Sequence, residues 1–335
     1  MTETFVSYSL IAVYSAMAIY TFAFVLFAVD LARRSAESSD ASASAATGLA
    51  TASAQQASVT AGGSAGSSGT STLTATSASS GEPAVAHSPK SLRLAMAMTV
   101  IAWVLHLGAV VFRGVAANRV PWANMFEFTL TATVLIVGVF LVAQFWQDLR
   151  FLGSFITGFA LLALGVGTSS FYVDVVPLPP PLQSAWLVIH VFVASLSTGF
   201  FALAAGLSIV QLVQARREAG KALKLRFLDT LPAADRLETL AYRLTVVGFV
   251  MWTFTLIAGA VWAERAWGRY WGWDTKEVWT FIIWTIYAGY IHARATRGWR
   301  GSRSAWLAIV GFLAIVFNFT IVNLFFKGLH SYSGL

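Results

Sequence analysis

Apolar runs of membrane-crossing length dominate the chain. Eight are legible, over 6–29, 92–112, 125–146, 151–170, 186–212, 242–263, 277–293 and 304–326. About 20 consecutive apolar residues cross the hydrocarbon layer as one helix. The composition is 57% hydrophobic and 11% charged. A soluble core cannot hide that much apolar surface, since soluble domains run near a quarter charged. The expected fold is an all-α integral membrane protein, a bundle of about eight transmembrane helices.

Lys and Arg set its orientation. With the N-terminus outside, inner segments hold 16 of the 22 basic residues, and the outer ones keep Arg113, Arg119, Arg265, Arg269, Lys276 and Lys327. The positive-inside rule then places both termini on the extracytoplasmic face. The net charge of +7 is topological, which removes the case for a nucleic-acid partner. Met1 to Phe5 carries no positive charge, and Arg33 and Arg34 follow a full-length run. This predicts a retained first helix over 1–30 rather than a cleaved signal peptide.

The region 31–90 differs. Of the 47 residues in 35–81, 40 are Ala, Ser, Thr or Gly. Side chains so small cannot offset their ordering entropy by burial, and a disordered cytoplasmic linker is expected, with His87 at its end playing no part. Residues 91–335 form the seven-helix remainder. The chain has no Cys, which excludes disulfides, thiolate metal sites and a cysteine nucleophile.

Chemistry is expected in the outer loops. Six of the 13 Trp fall between 262 and 284: Trp262, Trp267, Trp271, Trp273, Trp279 and Trp284. Interfacial belts enrich Trp at helix ends, but a belt spreads over all of them, and this cluster occupies one loop. Asp274 and Glu277 fit a capping box at the next helix start. That accounts for the helix start and leaves the indole density unexplained. A large flat apolar ligand would account for it, with Arg265, Arg269 and Lys276 as partners for its carboxylates.

Five histidines remain. His190 lies four residues inside the fifth run, about 6 Å from the outer end at 1.5 Å per residue. His330 follows the eighth run on the same side. A lone His is usually a packed, hydrogen-bonded residue. Two outer His flanking one Trp loop point instead to haem iron held from both faces by neutral imidazoles. His292 lies 15 residues into the seventh run, about 22 Å from its outer end, so it cannot bind the same iron. An ionisable group inside a span is a functional candidate, though Arg294 and the inner interface lie close by. His106 is mid-membrane, roughly 21 Å from the inner end of its run, and is either structural or part of a ligand path. Glu127, at the outer start of the third run, is a possible site residue or a first-turn acid favoured by the helix dipole.

The run Trp262-Ala-Glu-Arg265-Ala-Trp267-Gly-Arg269-Tyr-Trp271-Gly-Trp273-Asp274-Thr275-Lys276-Glu277-Val-Trp279 resembles the tryptophan-rich "WWD" motif of haem-handling proteins. The wider likeness, over roughly 92–335, is to the CcsA/ResC family of cytochrome c biogenesis proteins, named CcsB in some bacteria. Pro121 to Glu127, Leu182 to Val191, Leu228-Asp229 before Tyr242-Arg243, and Gly328-Leu-His330-Ser-Tyr carry it. Thr275 departs from the Pro usual between Asp and Lys, and Thr is tolerated in a first helical turn.

The resemblance implies a plasma-membrane component of a holocytochrome c synthase, or haem lyase. It moves haem b to an outer site under the Trp motif, where His190 and His330 bind the iron and Asp274 and the indoles frame it. His292 matches an inner haem ligand. Partners are a ResB-type membrane protein and apocytochrome c, whose Cys-x-x-Cys-His thiols take up the haem vinyl groups on the extracytoplasmic face. Without Cys the chain depends on other proteins for thiols and reducing power. Release requires one imidazole to yield, to the His of the substrate segment. Two other readings stand: a WWD exporter that hands haem to a chaperone, and a haem b electron-transfer subunit. A different transporter would need broken helices around a midplane site, and no Gly/Pro-interrupted pair of runs is present.

Overall fold

The structure is a computed structural model that describes residues 2–61, 90–178, 180–221, 225–326 and 328–330, without side-chain detail over 35–61 and at 181, 226 and 297. His87 and the tail beyond His330 lie outside the described residues. Nine α-helices are found among those described, with three short 3-10 turns and no strand. They are α1 (Thr2–Ala61), α2 (Lys90–Ala117), α3 (Met125–Ala143), α4 (Gly153–Ser170), α5 (Ala185–Glu218), α6 (Ala234–Trp267), α7 (Thr275–Arg297), α8 (Ser302–Phe319) and α9 (Ile321–Phe325).

Among the described residues, seven helical segments are long and apolar enough to cross a membrane: Thr2–Arg34, Lys90–Ala117, Met125–Ala143, Arg150–Ser170, Ala185–Glu218, Ala234–Trp267 and Ser302–Phe325. α7 has the length, 23 residues, but its Thr, Tyr, His and Arg content makes it too polar to qualify. The eighth expected run is thus a polar helix packed against α6 and α8. α1 continues past Arg34 through the first part of the Ala- and Ser-rich segment to Ala61. Alanine is the strongest helix former, and its recurrence there supports the continuation.

Small residues allow the bundle to close. α1 packs along α2 and crosses α4, where Gly153 faces the Phe27 ring so closely that a Cβ would lie 2.3 Å from it. Gly311 of α8 seats Tyr287 of α7 in the same way, at 2.6 Å. The Tyr287 ring stacks on Phe201 of α5 at 3.7 Å. Close backbone approach at small residues is how helices associate when lipid is as apolar as their side chains.

A buried carboxylate ties the other end of the bundle. Glu238 of α6 accepts from Arg294 Nη1 of α7 at 2.6 Å, from the Gly301 amide at 2.8 Å and from Ser304 Oγ of α8 at 3.3 Å. This network leaves one end of α5 to α8 fixed and the opposite end, with its loops, to carry the site.

Candidate functional site

Two local signals build the loop between α6 and α7. Gly268 ends α6 in the left-handed region, φ 70°, donating its amide to the Glu264 carbonyl at 2.7 Å. Asp274 and Glu277 form the expected capping box at the start of α7. Glu277 Oε2 also accepts from the Gly272 amide at 2.8 Å and the Asp274 amide at 3.1 Å, so one carboxylate organises the end of the loop. Trp273 sits at φ 58° with its indole 75% exposed. A bulky side chain in the left-handed region stores strain of the kind found at functional sites.

Trp262 is the buried centre of the site, 2% exposed among Leu182 and Leu187. His190 of α5 stacks on its indole, centroids 6.0 Å apart and planes at 23°. His330, beyond α9, meets the same indole edge-on at 5.5 Å and the Trp267 ring at 4.8 Å. The two histidines, 140 positions apart in the sequence, therefore share one tryptophan.

Each imidazole is oriented through Nδ1. His190 Nδ1 donates to the Thr255 carbonyl of α6 at 3.0 Å. Gly259, one turn on, makes this approach possible, since a Cβ there would lie 2.8 Å from His190 Cε1. His330 Nδ1 donates to Asp274 Oδ2 at 2.7 Å. Gly328 allows that close passage, because a Cβ on it would overlap Asp274 Oδ1. The hydrogen bond from His330, with backbone donors from Leu329 and Lys276, holds the Asp274 carboxyl below its usual range despite partial burial. With Nδ1 protonated and engaged, each ring leaves Nε2 as the basic nitrogen, and no hydrogen bond occupies either Nε2 among the described residues.

The other expected site residues are placed as follows. Lys276 Nζ donates to Asn323 Oδ1 in a short contact. The Arg265 guanidinium lies over the Trp186 ring at 5.6 Å, and that of Arg269 lies against Gly272. Trp271 and Trp273 meet at right angles in the loop, 6.0 Å apart. Trp279 packs on Phe317 of α8 at 4.4 Å, and Trp284 bonds Thr253, so these two serve helix packing. His292 is exposed on α7, 16 residues beyond Lys276 and hence about 24 Å along the axis. His106 is fully buried, with Nε2 on the Leu130 carbonyl at 2.9 Å and its ring edge-on to Tyr20. Glu127 is fully buried and paired with Arg113 and Arg119.

Sequence reasoning reached both histidines and the indoles but not what orients them. Thr255 acts through a backbone carbonyl, which leaves no residue-type signal. Asp274 had a sufficient local role as a cap, and its second role depends on a residue 56 positions away.

Residues 92–330 match the family described as Cytochrome C assembly protein. The chain is 34% identical over 240 residues to the cytochrome c biogenesis protein CcsA of Guillardia theta, covering 67% of this chain and 80% of that one. It is 34% identical over 267 residues to the CcsA of Synechococcus sp. strain CC9902, covering 70% and 85%. For Synechococcus sp. strain RCC307 the figures are 33% over 282 residues, 76% and 88%.

Proposed function

The chain belongs to the cytochrome c assembly protein family, a multi-pass membrane family that handles haem in cytochrome c biogenesis, and we propose that it carries haem b to the outer Trp262 site and presents it there for attachment. The observation that supports this most directly is the pair His190 and His330 on one indole, each fixed through Nδ1 with Nε2 left over. Orientation of a ligating imidazole through its other nitrogen is the usual design of such sites. No group of three or more His, Asp or Glu side chains capable of holding a bare ion occurs among the described residues. Two imidazoles suffice for haem, whose iron brings four nitrogens of its own.

Haem here is substrate rather than resident cofactor. When bound, it supplies the vinyl groups, and apocytochrome c supplies the two thiols that add across them, since the chain has no Cys. The protein's own residues bind and orient. His190 sits on a helix backed by Thr255. His330 is carried on a tail held by Asp274 and two indoles, which makes it the imidazole that can yield to an incoming histidine. A permanent electron-transfer haem would call for both ligands on packed helices. The exposed position of His292, about 24 Å from the loop end of α7, suits a separate inner site where haem enters. A ResB-type membrane protein is the expected partner, in the plasma membrane, with attachment on the extracytoplasmic face.

The test is a cell whose c-type cytochrome depends on this chain. His190→Ala and His330→Ala each abolish haem-stained cytochrome c while the membrane level of the protein holds. Normal staining in both variants would remove the outer site from the pathway.

A further inference from the structure

Beside the Trp262 site lies a charge network that is not neutral. Glu127 has no exposed surface. It accepts from Arg113 Nε at 3.1 Å, from Arg119 Nη1 at 2.6 Å and Nη2 at 3.2 Å, and from the Ala123 amide at 3.0 Å. Arg113 Nη2 further donates to the Val173 carbonyl at 2.6 Å, and Arg119 to the Val120 and Val176 carbonyls at 3.3 Å. Two guanidiniums thus face one carboxylate. Asp174, on the same loop, is exposed. The network keeps one positive charge in excess, with the Arg113 side chain 1% and the Arg119 side chain 9% exposed.

Two donors in this network are buried without any partner: Arg119 Nε and Asn124 Nδ2. Asn124 Oδ1 caps α3 by accepting the Glu127 amide at 2.9 Å, so the nitrogen must point the other way. Unpaired buried donors and an excess buried charge are both costly, and one carboxylate relieves all three.

The network adjoins the Trp262 cluster. Ala123, next to Asn124 in the chain, packs against the cluster formed by Leu182, Leu187 and Trp262. On the other side of Asn124, Met125 Sδ accepts from Asn323 Nδ2 at 3.3 Å, and Asn323 Oδ1 takes Lys276. The geometry points to a carboxylate-binding subsite in which Arg119 Nε and Asn124 Nδ2, backed by the excess charge of Arg113 and Arg119 over Glu127, hold a propionate of the haem at the Trp262 site. This rests on the haem reading above. Arg265 and Arg269, engaged on Trp186 and at Gly272, are not needed for it.

Haem and its dimethyl ester, in which both carboxylates are masked, separate the two claims. Each is titrated into the full chain in detergent and followed by visible absorption. Wild type binds haem at least tenfold more tightly than the ester, the ratio expected for one charge-assisted hydrogen bond. Asn124→Ser keeps a capping oxygen and removes the amide donor, and Arg119→Lys keeps the charge and removes Nε. Each brings the ratio down severalfold while the six-coordinate spectrum is unchanged. If wild type binds haem and ester equally, or if neither substitution alters the ratio, the subsite is overturned and the haem reading stands. If wild type binds neither compound, both fall.

Discussion

Trp262 does what neither histidine does alone, because it touches both. Its burial fixes the height at which α5 and the tail meet, and the Nδ1 bonds fix the turn of each ring. Asp274 sets the more exposed of these bonds, and its carboxyl is held low mainly by the hydrogen bond from His330. A carboxyl with a depressed folded pKa contributes stability that is fully present above its unfolded value, near 4. That stability is lost as the pH falls through the folded value. Docking of 328–330 is therefore expected to persist at pH 6 and to loosen only below about pH 4. Amide exchange in the tail checks this. Asp274→Asn exposes the tail already at pH 6, and protection unchanged by that substitution would mean the carboxylate does not hold it.

At the scale of elements, what the sequence makes legible is what is local. Asn124, Ser184 and Asp274 start α3, α5 and α7, and Gly268 and Gly298 end α6 and α7. Each acts within a turn, so its signal is read in place. The partners that lock helices to one another are not local. Arg113 and Arg119 looked like outer loop charges, yet they neutralise Glu127 inside the bundle, and Glu238 meets Arg294 across 56 positions. Nothing in spacing ties such residues together, and Glu238 precedes the apolar run 242–263, so its burial left no signal in the sequence. Glu238→Ala leaves Arg294 buried and unpaired and is expected to cost about 3 kcal/mol, read as a lower unfolding midpoint in detergent. Glu238→Gln, which keeps an acceptor, loses less. An Ala variant as stable as wild type would show that the network does not fasten the helices.

At the scale of the whole molecule, an all-helical membrane bundle follows from run length alone, and seven apolar spans appear where runs were expected. α7 is the departure, and its polarity has a physical origin. It is flanked by α6 and α8 and carries the cap at Asp274 at one end and the ion pair of Arg294 at the other. Orientation rests on the distribution of Lys and Arg, and the absence of Cys makes it simple to test. Single Cys at Thr2 or Tyr270 should react with an impermeant thiol reagent in intact cells, and Cys at Ser302 only after permeabilisation. The reverse pattern would invert the topology and with it the face of the site. The central claim is that His190 and His330 hold one haem between them. Its most direct test is the visible spectrum of the protein purified from haem-replete cells, as wild type, His190→Ala and His330→Ala, with and without added imidazole. Wild type should show six-coordinate haem, each substitution should disturb it, and imidazole should restore it. Identical spectra in all three proteins, or no haem in wild type, would contradict the claim.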